Sequence, residues 1–235
     1  MRRCEMLASP IKVGKLTLKN KMMTTSMSPG EGYTDGDKPT QQFLNYIEER
    51  AKGGLALMCQ TVIPFSRANR PEGLGHVHPL PGAYDESCLP GLRAMADAMH
   101  KHDGLIVGQP WFVHDWQPDD ENIEKPWGPS DVVILKNMRP FTPMEKRHIE
   151  MFKKQMVNCA LLIKEAGWDG VEVMAGVGGI LNRFMSKATN NRTDKYGGNL
   201  KNRMRLTVET IEAVREAVGD RKSTRLNSSH ITIAY

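Results

Sequence analysis

The sequence has no apolar run approaching the roughly 18–20 residues that a membrane-spanning helix needs, so no membrane partner is expected. Nor does it have an apolar stretch at its start: "MRRCEMLASPIKVGKL" carries two arginines without the hydrophobic core of a secretory leader. Cysteine is scarce and scattered. Cys4, Cys59, Cys88 and Cys159 make no Cys-x-x-Cys pair and no cysteine–histidine cluster, so neither zinc nor an iron–sulfur cluster is expected on these residues. Isolated thiols fit a reducing cytoplasm. A basic stripe is missing as well. The formal charge is +5, but Arg221, Lys222 and Arg225 supply three of those five charges from the last fifteen residues. The other basic residues alternate with acids, as in "YIEERAKGG" and "ENIEKPWG", which is a solvated surface and excludes nucleic acid as a partner.

What is present is the profile of one globular domain: 235 residues, 40% hydrophobic and 25% charged. "IKVGKLTL" predicts a hairpin, with Gly14-Lys15 between Ile11–Val13 and Leu16–Leu18. "NKMMTTSM" predicts a first strand ended by Ser28-Pro29-Gly30. A helix fits Thr40 to Lys52, with Phe43, Ile47 and Ala51 on one face and Gly53-Gly54 as the stop. "LALMCQTVI" is nearly all apolar, as expected of a strand buried on both faces. A helix follows from Pro90 to His102, with Leu92, Met95, Ala96 and Met99 inward, and then a third strand, "LIVGQ".

The segment from Pro110 to Pro140 is long, irregular and rich in Pro, Trp and Asp, a composition expected of a functional loop. "TPME" reads as a helix start, with Thr142 as N-cap, Pro143 at N1 and Glu145 at N3. Its stripe is Ile149, Phe152, Met156, Cys159 and Ile163, and Gly167 ends it. "GVEVM" is the fourth strand, and a last helix carries Met204, Leu206, Val208, Ile211, Val214 and Val218 up to Gly219. Four strands each followed by a helix predict an α/β fold of parallel strands with right-handed crossovers. Either a doubly wound sheet or part of a (β/α)₈ barrel, which takes about 250 residues, fits this order. The tail "DRKSTRLNSSHITIAY" is polar and without period. Its stretch from Asp220 to His230 reads like one frame through a sequencing adapter, so residues 220–235 are expected to be non-native and outside the fold; the other reading is a disordered natural C-terminus.

The stretch "VEVMAGVGGILNRFMS", Val171 to Ser186, runs from a strand through a glycine-rich turn into an apolar segment. Such a turn can cradle a phosphate on backbone amides, but a G-x-G-G spacing by itself does not establish one. The segments "GKLTLKNKMM", "ERAKGGLALM", "MHKHDGLIVGQ", "KEAGWDGVEVM" and above all "NRFMSKATNNRTDKYGGNLKNRMR" decide how to read it. In that order, over about residues 7–219, the chain resembles the NADH:flavin oxidoreductase, or Old Yellow Enzyme, family.

The resemblance implies a (β/α)₈ TIM barrel that binds FMN, of which these residues cover about the first four βα units plus the N-terminal hairpin. The Val-Glu-Val-Met before a glycine turn is closest to the 2,4-dienoyl-CoA reductase branch. There the barrel is followed by an iron–sulfur segment and a pyridine-nucleotide domain, so a cluster and FAD would belong only to such a C-terminal part. The resemblance places Ser26, Met27 and Ser28 beside the isoalloxazine ring, although Ser28 is also a natural turn residue before Pro29. It places Thr61 close to the ring, where a β-branched strand residue is equally at home. It matches Gln109 to the glutamine that pairs with the pyrimidine edge of FMN, a role suited to a carboxamide, which both donates and accepts.

The chain departs from the family at the turn after strand four. The positions that usually hold a substrate oxygen and donate a proton read Met174, Val177 and Gly179, and none of them can donate a proton. Phe112 stands where a histidine is often found. The acid is then sought in "WFVHDW", at His114 or Asp115, with Trp111 and Trp116 walling a planar substrate. The plainer reading of His114 is a surface loop histidine; Tyr33, water and a residue beyond the first half of the barrel are further candidates. Asn190, Arg192, Asp194 and Tyr196 read as a polar network fixing the turn before the last helix, with Arg183 or Arg192 as possible substrate contacts. The implied reaction is NAD(P)H-driven reduction of an activated C=C bond of a small-molecule substrate by hydride from FMN N5. The alternatives are amine oxidation on the same fold, and a fragment that binds FMN weakly because the phosphate loops and a strand-five cation lie beyond residue 219. Such a half-barrel is also expected to leave its outer strand edges unpaired.

Overall fold

A computed structural model describes residues 5–27, 29–65, 80–112, 127–132, 140–176 and 178–219, together with the backbone of 225–226 and 230–234. After a single turn of helix (α1, Glu5–Ala8), the expected hairpin forms as read. Gly14 takes φ +62°, and β1 (Ile11–Val13) pairs antiparallel with β2 (Leu16–Leu18). The first sheet strand is much shorter than its sequence suggests. Only β3 (Met23–Thr24) enters the ladder, because Asn20 Oδ1 accepts the Met22 amide and its Nδ2 donates to Gly54 O, folding the chain back before the strand begins. A two-residue ribbon, β4 (Thr34–Asp35) with β5 (Lys38–Pro39), leads into α2 (Gln41–Lys52), where the Thr40 hydroxyl accepts the Phe43 amide as N-cap. Phe43, Ile47 and Ala51 are the buried stripe, as the spacing predicts.

The next elements are β6 (Leu57–Val62), α3 (Leu89–His100), β7 (Leu105–Pro110), the short β8 (Trp127–Gly128) and β9 (Thr142–Pro143), α4 (Lys146–Glu165) and β10 (Gly170–Met174). After β10 come α5 (Ile180–Met185) and α6 (Leu200–Val218), the latter capped by Gly219 at φ +79°. The expected start of α4 needs correction. Thr142 is not its N-cap: Thr142 and Pro143 pair in parallel with Trp127 and Gly128, and Met144 N donates to Gly128 O. The helix begins three residues later, with Glu145 as N-cap. The Glu145 amide donates to His148 Nδ1, and the His148 ring stacks on Trp127 at 4.9 Å. The segment carries two capping signals, and the strand pairing selects the second.

β3, β6, β7 and β10 lie side by side, all parallel, with Met58 opposite Ile106, Thr61 opposite Gln109 and Val171 opposite Gly108. Alternation then sorts the side chains. Met58, Val62, Ile106, Val171 and Val173 face the helices and join Phe43, Ile47, Met95, Met99, Phe152 and Ile163 in the main core. Gly108 is glycine because a Cβ there would stand 3.1 Å from Ile163 Cγ1, and closer still to the tip of that side chain. The opposite parity, Leu57, Cys59 and Val107, packs with Ala56 and Leu18 in a second cluster, so the hairpin stops the inner face of the sheet at its N-terminal end.

The expectation of an unpaired outer edge on β10 is not met. Instead β12 (His230–Ala234) pairs antiparallel with β10 along its whole length, Gly170 opposite Ala234 through Met174 opposite His230, and β11 (Arg225–Leu226) pairs with β12. An open edge offers a row of unpaired N–H and C=O groups, and "HITIA" carries the β-branched residues that suit a strand. No helix among the described residues is long and apolar enough to cross a membrane.

Candidate active site

The inward parity of the central strands ends in polar side chains. Thr61 and Gln109 are next to last in β6 and β7, directly opposite each other in register, and 3% and 4% exposed. The Ser26 hydroxyl, just beyond β3, contacts the Thr61 hydroxyl. Gln109 Nε2 donates to Glu172 Oε1, and Cys59 Sγ donates to the same oxygen at 3.5 Å. Three of the five residues expected near a flavin ring thus converge at the C-terminal ends of parallel strands, where the chemistry of α/β barrels sits. Met27 is largely exposed, and Ser28 lies outside the described residues.

Sequence reasoning missed Glu172. The signal was a lone carboxylate in the middle of an otherwise apolar strand, a residue type almost never buried without a partner. Burial first, then the Glu172 charge, pushes the Cys59 thiol far above its ordinary range, so Cys59 is no nucleophile.

Comparison with known proteins places the chain in a family. The family model of the NADH:flavin oxidoreductase / NADH oxidase family matches residues 6–232. The chain belongs to this family. It is 33% identical over 215 residues to a metal reductase of Desulforamulus reducens, covering 91% of this chain and 31% of that protein. Among solved structures, 2-naphthoyl-CoA reductase in complex with 2-naphthoyl-CoA superposes with a TM-score of 0.78 at 30% identity, covering 93% of this chain and 34% of that one. Old Yellow Enzyme from Pichia sp. AKU4542 gives 0.77 at 28%, covering 91% and 57%. The fold is that of the family's TIM barrel, and the chain spans 31% to 57% of the length of these relatives.

The residues present fit the family's FMN. A flavin ring edge alternates carbonyls with one N–H, and the two hydroxyls and the carboxamide at the strand ends can each donate or accept.

A small apolar cavity of about 10 Å³ is lined among others by Trp111, Phe112, Phe152, Met156, Met174 and Gly179. It gathers four of the expected substrate residues, and its volume holds roughly one water. Phe112, in the place of the family histidine, is a core residue: its ring lies 4.7 Å from Phe152 and 5.7 Å from Phe65. Val177, His114, Asp115 and Trp116 lie outside the described residues. Tyr33 packs edge-on against Phe43 and Tyr46, at the face of α2. In the glycine turn, Gly178 needs its left-handed φ of +86°, but a Cβ on Gly179 would make only ordinary contacts, so the backbone leaves room for a side chain there. The Gly179 amide bonds Gly176 O, and the turn borders the apolar cavity.

The "RTDKYGG" block is a structural clamp. Arg192 Nη1 donates to Pro129 O at 2.9 Å and Met144 O at 2.8 Å, while Nε and Nη2 form a fork on Asp194. Asn190 Nδ2 donates to Phe184 O and Tyr196 O, and Tyr196 Oη donates to Glu209, which also binds Lys153 of α4. Arg183, expected near substrate, is 4% exposed. Its Nη1 donates to Trp127 O, its guanidinium lies 4.3 Å from the centre of the Phe141 ring, and burial lowers its pKa to about 10.

Hydrogen bonding by Arg192 holds the Asp194 carboxyl below its usual range. For Glu209 burial acts upward, but hydrogen bonds from Lys153 and Tyr196 outweigh it and the net direction is also down. A carboxyl depressed in the folded state adds stability that is present above its unfolded pKa and is lost as pH falls through the folded value. The difference in urea midpoint between the parent and Asp194→Asn is therefore expected to be constant near neutrality and to shrink below about pH 4. A difference that grew on acidification would contradict the clamp.

Proposed function

We propose that the protein is an FMN-dependent oxidoreductase in which NAD(P)H drives reduction of an activated, α,β-unsaturated C=C bond. The observation that carries this reading is the convergence of Ser26, Thr61 and Gln109 at the C-terminal ends of adjacent parallel strands. FMN, when bound, supplies the hydride carrier. Gln109 would hold the pyrimidine edge of its ring, and the Ser26–Thr61 hydroxyl pair would offer it a donor. Phe112, Met174 and the turn at Gly179 would offer the substrate an apolar wall. These wall residues carry no proton donor, so the proton added to the product is assigned to His114 or Asp115, or to water.

The purified chain, titrated with FMN and followed by flavin fluorescence, is expected to lose affinity about tenfold or more in Gln109→Leu, the worth of one or two hydrogen bonds. Anaerobic NADH or NADPH should bleach the bound flavin and a cyclic enone should restore its colour. Bleaching by a secondary or tertiary amine, with no effect of the enone, would replace this reading by amine oxidation.

A further inference from the structure

Glu172 is a carboxylate only 7% exposed, at the centre of β10. Two side chains donate to its Oε1, the Gln109 carboxamide through Nε2 and the Cys59 thiol. An ionised carboxylate accepts hydrogen bonds and cannot give one. Gln109 can therefore face it only with the amide nitrogen, one of whose two protons is then committed. The rest of the carboxamide, its Oε1 and the second Nε2 proton, is thereby held in one fixed order.

We propose that Glu172 is the positioning residue for Gln109, locking the carboxamide so that the strand ends present an acceptor and a donor in a single arrangement. The inference rests on the FMN reading above and deepens it. The complement of a fixed acceptor beside a donor is an imide edge, N–H beside C=O, and the flavin ring has one at N3 and its flanking carbonyls. Without Glu172, the bond that fixes which side of the amide is nitrogen is lost. Selection for a ring that carries a proton on N3 would then be lost, even with Gln109 still there.

The test uses the full chain, FMN and 3-methyl-FMN, the latter lacking the N3 proton, and ¹⁵N spectra of the ligand-free protein. The Gln109 side-chain pair is identified by its disappearance in Gln109→Leu. In the ligand-free parent, one Gln109 Nε2 proton is expected downfield of its free position and slow to exchange. Glu172→Leu should return it to the free-glutamine pattern, and Glu172→Gln, which keeps an acceptor oxygen, should restore it. The parent should prefer FMN to 3-methyl-FMN by about tenfold or more, and Glu172→Leu by less than about threefold. A free-like Gln109 amide in the parent overturns the proposal without any variant having to fold. An unchanged amide, or an unchanged preference, in folded Glu172→Leu overturns it too. A Glu172-dependent amide in a parent that binds neither flavin supports the lock and refutes the flavin reading alone.

Discussion

Gly197→Ala is expected to cost about 3 kcal/mol or more, the upper end of what forced overpacking costs, and to show as a large drop in melting temperature. The position is buried, and its backbone needs no left-handed φ. The difficulty is space. A Cβ there would stand 2.6 Å from Arg192 Cβ and closer still to the Arg192 carbonyl oxygen, so backbone would meet backbone and neither can swing aside. Gly198 is the internal control. It has φ +80°, and a Cβ there would meet nothing within 4 Å, so Gly198→Ala should cost only the roughly 1 kcal/mol of left-handed strain. Two adjacent glycines are thus required for different reasons, and thermal melts of the two variants separate them. Equal losses, or a Gly197→Ala protein melting like the parent, would mean that the turn is not folded as described.

The second large effect is expected at Arg192. Arg192→Leu removes four hydrogen bonds, leaving the Pro129 and Met144 carbonyls and the Asp194 carboxylate without their donor. At about 1–3 kcal/mol for each buried group left unsatisfied, discounted for the exposure of Asp194, the loss is expected near 3 kcal/mol. Arg192→Lys should recover less than half, because an ammonium cannot bridge two carbonyls and a carboxylate in one plane. The damage should be directional. The guanidinium ties the turn before α6 to the β8–β9 ribbon and the start of α4, so the Met144 amide, bonded to Gly128 O, should exchange faster than amides of β6 or β7. A urea midpoint within experimental error of the parent would show that the clamp adds nothing. Combining Arg192→Leu with Gly197→Ala should give less than the sum of the two losses, since both disrupt one turn.

The two variants also explain why the "RTDKYGG" stretch is legible as a unit but not in its purpose. Its polar residues are a network, as the sequence suggests, yet their partners at Pro129, Met144 and Lys153 are far away in the chain, and no local pattern names them. The same division runs through the site. Gln109, Thr61 and Ser26 can be named from a family resemblance, but only the register of β6 against β7 sets the first two opposite each other. Glu172 is one letter in "GVEVM", and its meaning lies in Gln109, which is 63 residues away.

What the sequence by itself determined is local. Apolar periodicity and caps drew α2, β6, β7 and β10 and the C-terminal end of α6 nearly to the residue, since a helix face and a cap are complete within a few positions. What only the tertiary structure decided is every choice between competing local signals. Thr142 is a sound N-cap, but its pairing with Trp127 makes it a strand and passes the helix start to Glu145. "HITIA" reads as a polar tail, but the open edge of β10 makes it a strand. Glu172 reads as an intrusion, but a carboxamide and a thiol across two neighbouring strands make it the centre of the polar floor. Hydrogen-bonding groups must be satisfied wherever they are buried, and which partner satisfies them is settled by the strands that pack beside them.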